Sequence, residues 1–181
     1  MARAGRIVLL LLLARWTFLF LVWPMREDVI GAAFLHLINL PFHEAGHVLF
    51  SPFGEFMTTL GGSLMQVLVP AICAVAFLTS HWNPFGAAVM GWWAGENLMD
   101  VAIYINDARS LQLTLIGGQT GAEVDGHDWE RLLLMTNSLH LDHRIANITH
   151  FAGAAVMIGC LAWAATIAWR TKEESWLSGK L

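Results

Sequence analysis

Five apolar segments separated by polar turns organise the chain. They run from about Ile7 to Trp23, Val29 to Phe50, Ser63 to Ser80, Pro84 to Ile105 and Ile148 to Trp169. Each comes near the ~20 residues that a helix needs to cross the hydrocarbon of a bilayer. The pattern predicts an all-α polytopic membrane protein with about five transmembrane helices. The first segment follows Arg3 and Arg6 and is interrupted by Arg15. No small-residue cleavage site follows it before Pro24-Met25-Arg26, so it reads as a retained span rather than a signal peptide, with Arg15 facing a protein neighbour. Between the second and third segments, Glu55 to Leu60 reads as a short strand or hairpin arm at the membrane surface.

Ala108 to Thr149 is the one long polar connection. Leu111-Gln112-Leu113-Thr114-Leu115 alternates as a short strand does, Gly117 to Gly126 reads as loop, and Asp128 to Ala146 reads as an amphipathic helix on the membrane or the bundle. The whole, 1–181, is one membrane-embedded domain. It divides into a first span (7–23), a three-span core (29–106), a polar loop with its amphipathic helix (107–149) and a last span (150–169).

Composition sharpens this picture. Of 181 residues, 56% are hydrophobic and 13% charged, with a mean hydropathy of +0.56, whereas soluble domains carry about 25% charged residues. No basic run is present, so no nucleic-acid partner is expected. Nine tryptophans against one tyrosine fit ring anchors at membrane–water interfaces, such as Trp23, Trp82, Trp129 and Trp169. Cys73 and Cys160 fall in apolar runs and read as small buried apolar residues. Gly91 and Gly95 form a G-x-x-x-G that predicts close helix packing.

The second segment carries His43-Glu44-Ala45-Gly46-His47, an H-E-x-x-H motif. Imidazoles four residues apart share one helix face at a spacing that lets both grip one zinc ion, and the intervening Glu44 can take a proton from water as general base. A catalytic zinc needs a third protein ligand. Asp100 is the first choice. It lies near the C-terminal end of the fourth segment, as His43 and His47 do in the second, and a charge in a span needs a cation. His127 and Asp128, in Asp125-Gly126-His127-Asp128-Trp129, are the competing residues, because their loop emerges on the same side. His36, Asn39, His43 and His47 make one polar stripe, with His36 as a supporting group. Gln66 and Asn97 are candidates to orient a scissile backbone or stabilise an oxyanion. His140, His143 and His150 read as surface histidines.

These motifs resemble the site-2 protease family of intramembrane zinc metalloproteases. His43-Glu44-Ala45-Gly46-His47 matches the family's first motif. Gly62-Ser63-Leu64-Met65-Gln66 is similar to its G-P-x-x-N-like motif, with Ser63 and Gln66 in place of Pro and Asn. Leu98-Met99-Asp100-Val101 is similar to its L-D-G motif only through the Asp. The resemblance covers about residues 30–106. It implies a three-helix zinc-binding core that hydrolyses a peptide bond of a membrane-associated protein within or near the bilayer.

The expected function is therefore that of a zinc metalloendopeptidase. The alternatives are a non-hydrolytic membrane metal-binding or carrier protein, and a zinc hydrolase of a lipid or small amide. The expected partners are a membrane-protein or peptide substrate, the lipid bilayer and a regulatory membrane partner. The expected location is a bacterial or other cell membrane. With Arg3 and Arg6 holding the N-terminus inside and five alternating spans, the zinc site falls toward the cytoplasmic face. That topology leaves Arg170 and Lys172 on the disfavoured side.

Overall fold

The computed structural model describes residues 3–22 and 34–178. Its elements in chain order are helix α1 (Arg3–Val22), α2 (Phe34–Phe50), α3 (Glu55–Thr79), α4 (Pro84–Asn106), α5 (Asp128–Met135) and α6 (Asp142–Ser178), with single 3-10 turns at Ser51–Phe53 and Leu139–Leu141. No strand is present among the described residues, so the all-α expectation holds there. Three helical stretches are long and apolar enough to cross a membrane: Arg3–Val22, Glu55–Thr79 and Leu139–Trp169. The expected start of the second segment at Val29 and the Trp23 anchor lie outside the described residues.

Helix α4 is the hub. It starts at Pro84, whose missing N–H costs nothing in the first turn, and the Asn83 side chain accepts a hydrogen bond from the Gly86 N–H at 3.0 Å. Thirteen of its 23 residues are buried, Glu96 and Asn97 among them. The other helices surround a polar helix that could not face lipid alone. Packing against α6 depends on small residues. A Cβ on Gly95 would lie 2.9 Å from the Gly153 carbonyl oxygen, and one on Gly153 would lie 2.6 Å from that of Gly95. The backbones touch there, as the G-x-x-x-G reading anticipated.

Three elements differ from expectation. Residues 55–60 are the first turns of α3, not a strand, because the chain re-enters helix directly after Gly54 (φ +89°). The Leu111–Leu115 strand reduces to one antiparallel bridge, Thr114 to Thr120, since Leu111 (φ +54°) and Gly118 (φ +79°) turn the chain at both ends. The predicted amphipathic helix breaks after Met135. Asn137 adopts φ +51°, and residues from Asp142 onward belong to α6. Cys73 and Cys160 are free and half-buried. Arg15 is exposed on α1 rather than turned to another helix of the chain.

The direction of α1 bears on topology. The Arg6 guanidinium lies 5.2 Å over the Phe85 ring, and Trp92 Nε1 donates to Thr17 Oγ1 at 2.8 Å. Moving up α1 therefore moves up α4, so the two run parallel. Helix α6 runs the other way. Its start meets the end of α4, through His143 and Asn106 at 2.8 Å, and its Ala164 and Ala168 pack with Phe85 and Ala88. The side-chain contacts of α2 run from Trp93, near the middle of α4, toward its C-terminal end, and fall in the N-terminal half of α3. His36 meets Asp100, Asn39 meets Glu96, His43 meets Gln66 and His47 meets Thr58. Helix α2 thus lies obliquely in one half of the bundle. The sequence expectation put Arg3, Arg6 and the histidine pair on one face by assuming that every apolar segment crosses in turn. Arg6 lies at the N-terminal end of α4, over Phe85, and the histidine pair lies toward the C-terminal end, beside Tyr104.

Two glycines of α6 separate packing from helix propensity. A Cβ on Gly159 meets nothing within 4 Å, so Gly159→Ala should hold or raise the melting temperature in detergent. Gly153→Ala must push α6 off α4 and should lower it by several degrees, the scale of an overpacked core.

Candidate metal centre

The H-E-x-x-H turn of α2 faces the first turns of α3. This approach requires Gly62, where a Cβ would fall 2.5 Å from His43 Nε2 and 2.6 Å from His47 Nε2. It also brings an acceptor to each ring. His43 Nδ1 donates to Gln66 Oε1 at 2.7 Å, and His47 Nδ1 donates to the Thr58 carbonyl at 2.8 Å. The Gln66 amide is oriented by its other end, since Nε2 donates to Asn97 Oδ1 at 3.2 Å and Asp100 Oδ2 at 3.3 Å. With each Nδ1 committed as a donor, the Nε2 lone pair of a neutral ring is left for an electrophile.

Both Nε2 atoms point at one carboxylate oxygen. Asp128 Oδ2 lies 2.9 Å from His43 Nε2 and 3.2 Å from His47 Nε2. Two ring lone pairs and a carboxylate repel one another unless a cation or proton lies among them, so the donor set fits a metal ion. Nitrogen and oxygen donors of this kind suit zinc. The ligand-capable atoms of His43, Glu44 and His47 all lie within 4.8 Å of one another. Glu44 is exposed to a cavity of about 980 Å³ whose wall includes Asp100, Tyr104, Leu113 and Ile116.

Asp100 therefore stands one step back from the place the sequence assigned it. Its carboxylate accepts from His36 Nδ1 at 2.9 and 3.1 Å, from Asn39 at 3.4 Å and from Gln66 at 3.3 Å. It reaches His43 only through Gln66. Asn97 Nδ2 is taken by the Trp93 carbonyl at 3.0 Å. His127 is 2% exposed and is not at the pair. Its Nδ1 caps α5 by accepting from the Glu130 N–H at 3.1 Å, and its Nε2 lies 3.3 Å from Asp107 Oδ2. Asp128 occupies the first helical position of α5 and turns its side chain to the histidines. Burial alone would raise the pKa of Asp128, but hydrogen bonds from His43 and His47 hold it below the usual carboxylate value.

Sequence reasoning missed three residues. Trp129 Nε1 donates to Ser63 Oγ at 3.0 Å, tying α5 to α3. Tyr104 accepts the Asp128 N–H at 2.9 Å. It is the chain's only tyrosine and falls one turn beyond Asp100, a signal that was available. Asp107 anchors the loop over the cavity. Its carboxylate accepts from the Ser110 hydroxyl at 2.5 Å and from the Gln112 and Leu113 N–H groups at 2.9 Å each. Burial pushes the Asp107 pKa up, but His127, Ser110 and these two backbone donors outweigh it and bring it down to about 2.

No family model, curated protein or solved structure matches this chain.

Because the folded pKa of Asp107 is depressed, its contribution is full above the ordinary value of 3.8 and is lost as pH falls toward about 2. Protection of the 111–126 loop from proteolysis should be equal at pH 7 and pH 5. Asp107→Ala should speed loop cleavage about 10- to 100-fold with helix content unchanged, as expected for losing a charge-assisted hydrogen bond worth about 1.5–3 kcal/mol.

Proposed function

We propose that this protein is a membrane-embedded zinc metalloendopeptidase that hydrolyses a peptide bond of a membrane-associated protein. The observation that carries this reading is the convergence of His43 Nε2 and His47 Nε2 on Asp128, each ring held by an acceptor on its other nitrogen. On this reading His43, His47 and Asp128 are the zinc ligands. Asp128 takes the place that the resemblance to site-2 proteases gives Asp100. Asp100 supports the site through Gln66, which holds the His43 ring in its tautomer.

Zinc, when bound, acts as a Lewis acid and makes water a nucleophile at neutral pH. Glu44, open to the cavity, takes a proton from the attacking water and hands it to the leaving amine. The apolar cavity wall, with Leu37, Leu40, Leu113, Leu115 and Ile116, suits an apolar peptide segment. The His127 cap and the Asp107 anchor hold the loop that carries Asp128.

The same reading gives an orientation. We take α1, α3, α4 and α6 as the crossing helices, with α2 entering and leaving on the side of the site. Arg3 and Arg6 then share a face with the C-terminal end of α6, which carries Arg170 and Lys172. The positive-inside rule favours that face as cytoplasmic, so the metal site opens on the opposite, extracytoplasmic side.

The purified protein should hold about one zinc per chain, and His43→Ala/His47→Ala should abolish it; unchanged zinc in that variant would sink the assignment. Asp128→Ala should weaken zinc binding more than Asp100→Ala, whose supporting role is worth about 10- to 100-fold; the reverse order would restore Asp100 as the ligand. Glu44→Gln should keep zinc and lose at least ~100-fold of the hydrolysis. A metal carrier would keep its function in that variant.

Orientation can be read with single cysteines at Ala4 and Gly117 in a chain lacking Cys73 and Cys160. A Cβ at Gly117 meets open space. An impermeant thiol reagent on intact cells should label position 117 and spare position 4. The opposite pattern would place the site in the cytoplasm.

A further inference from the structure

Peptide hydrolysis places negative charge on the carbonyl oxygen, and a hydrogen-bond donor aimed at that oxygen contributes much of the rate. The two amides that the sequence offers for this task are already committed. Both hydrogens of Gln66 Nε2 have acceptors in Asn97 and Asp100, and Asn97, which donates to the Trp93 carbonyl, has no exposed surface and is not part of the cavity wall. Tyr104 differs. Its hydroxyl oxygen accepts the Asp128 N–H at 2.9 Å, which leaves its own proton to donate, and among the described residues no acceptor takes that proton.

The position of the ring is fixed. Its centroid lies 4.3 Å from that of His127 and 6.1 Å from that of His43, and the residue forms part of the cavity wall beside His43, Glu44 and Asp128. The bond to the Asp128 backbone holds the phenol oxygen next to the residue whose carboxylate faces both histidines. A neutral O–H already held in place by the Asp128 N–H costs little reorganisation when charge develops.

We propose that the Tyr104 hydroxyl donates to the oxyanion of the scissile carbonyl, an inference that rests on the hydrolase reading above. The water oxygen forms a bond to the carbonyl carbon while Glu44 takes the water proton. The carbonyl π pair moves onto oxygen, where the Tyr104 O–H meets it. The C–N bond then breaks, the pair returns to the carbonyl, and Glu44 delivers its proton to the amine nitrogen. Tyr104 keeps its proton throughout.

The test uses the full chain, zinc-loaded in detergent, with unfolded casein as substrate and a phosphinic dipeptide as the tetrahedral mimic. Tyr104→Phe should keep zinc content and melting temperature. Its kcat should fall about 10²–10³-fold with KM within about threefold, the signature of a donor used only in the transition state. Phosphinate affinity should fall by a similar factor. Since Tyr104 is the only tyrosine, growth on 3-fluorotyrosine labels it alone, and its fluorine resonance should move when the phosphinate binds to the otherwise unaltered chain. A kcat within threefold of wild type, an unmoved fluorine resonance, or loss of zinc in Tyr104→Phe would each overturn the inference, the last by reducing Tyr104 to a prop for Asp128. If Glu44→Gln is dead and Tyr104→Phe is not, only the role of Tyr104 fails. If wild type and Glu44→Gln are alike, or neither cleaves casein, the hydrolase reading fails and takes this inference with it.

Discussion

An imidazole presents a lone pair in a fixed direction only when its other nitrogen is held as a donor. The site of this protein is organised around that constraint, met twice. Gln66 Oε1 holds His43 and the Thr58 carbonyl holds His47. Both acceptors come from α3, so α3 must lie directly on the histidine face of α2. That approach is why Gly62 has no side chain, since one would occupy the space of both Nε2 atoms. The Gln66 amide is in turn oriented from α4, by Asn97 and Asp100. Three helices are therefore locked in register by one chain of hydrogen bonds.

Such a network is expensive to leave incomplete inside an apolar bundle. On α4, where Glu96 and Asn97 have no exposed surface, Asn39 donates to Glu96 at 3.1 Å and Asn97 donates to the Trp93 carbonyl at 3.0 Å. The Gly95–Gly153 contact lets α6 close over one side, and the Thr17–Trp92 hydrogen bond seats α1 on another. Exposed apolar side chains such as Leu11, Phe18, Ile72, Val75 and Ile158 lie on the three stretches with the length and apolarity to cross a membrane, and α2 exposes Phe34, Leu37, Val48 and Leu49 as well. The shielded helix α4 carries Glu96 and Asp100, and the site is completed by α2, α3 and α5.

The loop between α4 and α6 completes the centre from outside the three core helices. Asp107 ties down its first turn through four donors or near contacts, and His127 both caps α5 and faces Asp107. Together they place Asp128 over the histidine pair. Asp128 opens a helix of only eight residues, so its place over the site depends on these anchors of the preceding loop.

The sequence alone determined what depends on composition and local spacing. Apolar runs of membrane length gave the helical class, H-E-x-x-H put His43 and His47 on one face with Glu44 between them, and Gly95 marked a close helix contact. Each follows from periodicity within a single element. The tertiary structure decided what depends on relations between elements. Asp100 and Asp128 both had the chemistry of a third ligand. Only the placement of Gln66 between Asp100 and His43, and of α5 over the site, puts Asp128 at both Nε2 atoms. The roles of Tyr104 and Asp107 arise from partners 24 and a few residues away that no pattern connects. The positions of Arg6 and of the histidine pair along α4 likewise come from packing between helices, which hydropathy along the chain does not encode.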